Sequence, residues 1–101
     1  MTATTEINYR RRVVATMYRG KSKEVILVRY FAYFDTAMPR LMQLSINYGN
    51  EGDFVEFHSP ELGFQIGILR IKKNNQFEME MSPLVKSSKS LLKLLNSSQT
   101  L

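Results

Sequence analysis

The sequence predicts one α+β domain: an antiparallel β-meander of five or six strands, forming a twisted sheet or a small barrel, with a C-terminal amphipathic helix. Three observations carry this. Short runs alternating apolar and polar residues recur between turn signals along residues 9–81. Ser82-Pro83 then opens a leucine-rich stretch at helical spacing. The 101 residues, 44% hydrophobic and 23% charged, suit one soluble domain of about residues 9–97, with a loose tail over 1–8 and a frayed end over 98–101.

The first strand, about residues 9–18, alternates: if Val13, Ala15 and Met17 face a core, then Arg10, Arg12, Thr16 and Tyr18 share the opposite face. Gly20 makes a turn into a second strand, about 24–34, rich in the β-branched and aromatic residues that pack well on a pleated surface. One face of that strand holds Ile26, Val28, Tyr30, Ala32 and Phe34, the other Val25, Leu27, Arg29, Phe31 and Tyr33. Both are mostly apolar, so a layer, a second subunit or a ligand is expected over each.

Residues 35–48 satisfy two templates. Asp35 and Thr36 are helix caps, whereas Met42, Leu44, Ile46 and Tyr48 alternate with Gln43, Ser45 and Asn47. The alternation favours a loop containing Pro39 and then a third strand over about 41–48. Gly49-Asn50-Glu51-Gly52 and Ser59-Pro60-Glu61-Leu62-Gly63 are turns bracketing a strand over 53–58. Phe64–Lys72 is the next strand, in which Gly67 marks a bulge or a close backbone approach. After a turn at Lys73-Asn74-Asn75, Phe77, Met79 and Met81 alternate with Gln76, Glu78 and Glu80. The final helix, 83–96, carries Leu84, Ser88, Leu91, Leu92 and Leu95 on one stripe and Lys86, Lys89 and Lys93 opposite.

Chemistry has few candidates. His58 is the only histidine and there is no cysteine, so nucleophilic, acid–base and zinc sites lack their usual partners, and no metal, cofactor or enzymatic activity is expected. Glu78 and Glu80, about 7 Å apart on one strand face, are explained as a solvent side. Gly20-Lys21-Ser22 lacks the earlier glycine of a phosphate-cradling loop. Residues 1–7 lack the basic start and apolar run of a signal peptide, and no stretch approaches the roughly 20 apolar residues that span a bilayer. A cytoplasmic protein making no membrane contact is expected.

Charge is more informative. The formal net charge is +5, and residues 1–50 hold eight basic and three acidic groups against six of each in 51–101. Six basic residues and no acid lie between Arg10 and Lys23. A clustered surplus of this kind is the footprint of a polyanion partner. The candidate contacts are Arg10, Arg12, Arg19, Lys21, Lys23 and Arg29 for phosphates, with Tyr18 and Tyr33 for bases. No recognition helix is evident, so single strands are favoured over duplex. The alternative is a protein-interaction module, such as an inhibitor, adaptor or assembly subunit, that uses Val25, Leu27 and Phe31 as its contact surface.

Tyr18-Arg19-Gly20-Lys21 also resembles the Tyr-Lys-Gly-Lys stretch of the Whirly single-stranded DNA-binding proteins. Phe77-Glu78-Met79-Glu80-Met81-Ser82, before a leucine-rich helix, is similar to that fold's strand-to-helix passage. The resemblance covers these two short pieces. It implies a unit that oligomerises through helices and grips single strands across sheet edges, with Gly20, Lys21 and their neighbours in the binding motif. Such a homo-oligomer is of the kind encoded by phages and mobile elements.

Overall fold

A strand buried on both faces has to lie inside a sheet, and β1 (Val13–Tyr18) is buried at every residue from Val13 to Met17. In the computed structural model, which describes residues 12–96, β1 pairs antiparallel with β2 (Val25–Phe31) on one side and β3 (Phe54–Ser59) on the other. β4 (Phe64–Ile71) and β5 (Phe77–Met81) follow as a meander, giving the order β2-β1-β3-β4-β5. The architecture is α+β with five antiparallel strands. Its sheet is open, with β2 and β5 at the edges, and is not closed into a barrel.

Between β2 and β3 the strand expected over 41–48 is instead part of a helix, α1 (Phe34–Tyr48), with Pro39 inside it. Its buried residues, Phe34, Ala37, Leu41, Leu44 and Ser45, recur at helical spacing, whereas Ile46 and Tyr48 of the alternating set are exposed at 46% and 57%. Topology explains the outcome. β2 and β3 both run antiparallel to β1 and so parallel to each other, with β1 between them. A crossing over the sheet is then needed, and a helix satisfies its own backbone while making it. The stripe offsets the one helical hydrogen bond that Pro39 gives up.

The C-terminal helix is also more broken than its leucine spacing predicts. α2 (Pro83–Lys86) and α3 (Lys89–Leu95) are separated at Ser87 and Ser88. Ser82 Oγ accepts from the Val85 amide at 3.4 Å, as a cap before Pro83. Ser88 Oγ accepts from the Leu91 amide at 3.3 Å and starts a second helix rather than continuing the first. Leu95 of the expected stripe is buried, but the break turns Val85 inward and leaves Leu84 and Leu92 of that stripe exposed.

One cluster forms the core. It joins Val13, Ala15, Met17, Val55, Phe57, Ile66 and Leu69 of the sheet to Phe34, Ala37, Leu41, Leu44, Val85 and Leu95 of the helices. Phe34 meets Phe57 edge to face, with centroids 5.2 Å apart. Every buried apolar residue of the three helices belongs to this cluster, so the helices share one face of the sheet. Gly67 supports the packing as its position predicted. The β3–β4 ladder shifts register beside it, and a Cβ there would lie 2.6 Å from the Glu80 carbonyl oxygen.

The assignment of α1 makes a direct prediction. Leu41→Ala costs about 2–5 kcal/mol in chemical denaturation, as a buried leucine does, while Ile46→Ala costs under about 0.5 kcal/mol. Equal losses at the two positions would contradict the helical register.

Candidate functional site

The loop after β1 and the loop before β3 meet at a buried carboxylate. Asp53 is 2% exposed. Its Oδ1 accepts from the Gly20 amide at 2.9 Å, and its Oδ2 from Arg19 Nη1 at 2.6 Å and the Asn50 amide at 2.7 Å. With the Asn50 side-chain amide turned oxygen-inward, it also accepts from Arg19 Nη1 at 2.9 Å. The Asp53 backbone continues the tie, accepting from Ile71 N at 3.0 Å and donating to the Asn50 carbonyl at 3.0 Å. Glycine is required at position 20 because a Cβ there would stand 2.3 Å from the Gly52 carbonyl oxygen.

This clasp holds the end of β1 beside the start of β3, where Tyr18 and Phe54 are direct partners in the ladder. Their rings stack with centroids 5.3 Å apart and planes 26° apart. Both lie on the face away from the helices, because Met17 and Val55 next to them point into the core. Lys23, with φ 64, is turned back over the pair so that its Nζ lies 5.0 Å from the Phe54 ring centroid. Lys21 is exposed at the loop tip.

On the other flank Arg70 is the register partner of Phe54. Arg70 Nη1 meets Glu80 Oε1 at 2.6 Å, and Lys72 Nζ meets Glu78 Oε1 at 3.4 Å. Exposed pairs of this kind contribute about 0–1 kcal/mol, so either cation is available to a stronger anion. A cleft of about 400 Å³ opens beside the loop between Arg19, Lys21, Asn50 and Asp53. A second, of about 260 Å³, lies between Glu51, Phe54, Arg70 and Lys72.

The structure thus brings together Tyr18, Arg19, Lys21 and Lys23, though the Arg19 guanidinium is committed to Asp53. Other candidates lie apart. Arg10 falls outside the described residues. Arg12 precedes the far end of β1, about 20 Å from Tyr18 along the strand. There its Nε meets Glu61 Oε1 at 3.0 Å and its Nη1 the Leu94 carbonyl at 3.1 Å. Arg29 pairs with Ala15 in register, which puts it on the helix side of the edge strand, where it is exposed. Tyr33 is half-buried at the N-cap of α1. Of the apolar trio, Val25 is 56% exposed beside Tyr18, whereas Leu27 and Phe31 pack against the core.

Phe54, Arg70, Lys72 and Asp53 escaped the sequence reading because they sit some 30 residues or more beyond Tyr18, and only strand register makes them its neighbours. The available signal was Phe54 itself, an aromatic heading an alternating row with Glu56 and His58. No protein family, curated protein or solved structure matches the chain. Among the described residues no group of three or more His, Cys, Asp or Glu is placed to hold a metal, and no helix is long and apolar enough to cross a membrane.

Removing the clasp has a measurable cost. Asp53→Ala strands the Gly20 and Asn50 amides and the Arg19 charge, and lowers unfolding free energy by about 3 kcal/mol. A thermal melt within error of the native protein would mean that the two loops are held by other contacts.

Proposed function

We propose that the open sheet face beside the β1–β2 loop binds single-stranded nucleic acid, by stacking and charge more than by reading sequence. The observation that carries this reading is the Tyr18–Phe54 pair, two stacked rings on the face that the helices leave uncovered, with Lys21, Lys23, Arg70 and Lys72 around them. A base has a flat face whatever its identity, and laying one on an aromatic side chain contributes about 1–3 kcal/mol. Here both rings are half-buried, so a base meets the ring surface that the pair and Lys23 leave accessible. Cations at the rim then attract the phosphates and release condensed counterions.

The placement of the helices favours single strands. All three pack against the other side of the sheet, so none is presented for insertion into a duplex major groove. A strand of unstacked bases crosses an open sheet without that requirement. Arg12 and Arg29, which lie away from the pair, are not part of this surface.

Fluorescence anisotropy with a labelled oligo-dT tests the reading. Tyr18→Ala and Phe54→Ala each weaken binding by about five- to a hundredfold. The Lys21→Ala, Lys23→Ala double variant reduces the slope of log affinity against log salt by about 1.4, while Arg12→Ala leaves it unchanged. Affinity that ignores salt and survives loss of both rings would overturn the proposal.

A further inference from the structure

The row of the open face next to the stacked pair differs from it in character. Thr16 of β1 and Glu56 of β3 are partners in register, and Ile68 of β4 flanks Glu56 on its other side. Glu56 is two residues from Phe54 on the same strand and the same face, hence about 7 Å away. It is half-buried. Asp53, Glu61, Glu78 and Glu80 each meet a cation, but among the described residues no hydrogen bond or ion pair engages the Glu56 carboxylate.

Charge is not uniform along the strands. Lys21 and Lys23 lie in the loop that follows Tyr18, with Glu24 and Glu51 also exposed at that end, and Lys72 and Arg70 are paired with Glu78 and Glu80, whereas Glu56, on the inner side of the aromatic pair, has no cation of its own among the described residues. A phosphate is attracted to the loop end and repelled from the middle row. A nucleotide stacked on the pair then has its phosphate towards the lysines and its base edge towards Glu56.

An ionised carboxylate offers two oxygens, both acceptors. Guanine presents two adjacent donors on its Watson–Crick edge, the ring N1–H and the N2 amino group, and so matches a carboxylate in bidentate fashion. Adenine and cytosine present one amino donor beside a ring acceptor. Thymine and uracil present a single N–H between two carbonyl oxygens, which a carboxylate repels.

Resting on the proposed single-strand binding, we infer that Glu56 reads the base stacked on Tyr18 and Phe54, selecting guanine most and thymine or uracil least. The preference belongs to one base position and is superimposed on binding that is otherwise tolerant of sequence.

The experiment compares three labelled oligonucleotides by anisotropy: a run of dT, the same run with one central dG, and the same run with that dG replaced by deoxyinosine, which lacks the N2 amino group. The native protein binds the dG oligonucleotide about tenfold more tightly than all-dT, with the inosine form between them. Glu56→Gln, which keeps the side-chain shape, brings the three together while holding or raising the all-dT affinity. Equal affinity of the native protein for all three, or a dG preference that survives Glu56→Gln, overturns the role of Glu56 and leaves single-strand binding standing. No binding to any of them overturns both.

Discussion

The buried carboxylate of Asp53 is the contact from which the arrangement around Tyr18 and Phe54 follows. A charge taken out of water is costly unless its oxygens are matched, and here two backbone amides and a guanidinium match them. Because the donors come from one loop after β1 and one loop before β3, satisfying the charge also locks those loops together. Gly20 is what lets them close, since any side chain would strike the Gly52 carbonyl. The β1–β3 ladder therefore ends with Tyr18 against Phe54.

The second constraint is one-sided layering. A crossing helix is needed to carry the chain from β2 over β1 to β3, and the two short C-terminal helices join it on the same face. All the helical burial goes to that side. The opposite face keeps the Tyr18–Phe54 pair, the cations beside it and the Glu56 carboxylate, unpaired among the described residues, uncovered by helix. Val14 and Thr16 point to that face and are nonetheless buried, at 7% and 8%, with Tyr30 and His58 flanking Val14 and Val28 and Glu56 flanking Thr16.

Much of the fold was legible where the signal is local. The inward set Val13, Ala15 and Met17, the turns at residues 49–52 and 59–63, the irregularity at Gly67 and the Ser82-Pro83 helix start all depend on residues within a few positions of one another. Residues 34–48 were misread because Leu44 and Met42 fit a period of 2 and a period of 3.6 alike. What separates the two is the position of β3 on the far side of β1, which no window of fifteen residues contains. The serines at 87 and 88 matter for a similar reason: their hydroxyls cap a new helix, and leucine spacing alone cannot show that the turn restarts there.

By itself the sequence determined the sheet-and-helix class, the hairpin of β1 and β2 with its lysine-bearing loop, and the concentration of positive charge in the first half. Only the tertiary structure decided which of those charges remain free. Arg12 finds Glu61 across 49 positions and Arg19 finds Asp53 across 34, while Lys21 and Lys23 stay exposed and Phe54 arrives beside Tyr18. The reason is physical: alternation is a property of one strand and is written in its neighbours, but the register between distant strands is set by how the whole core packs.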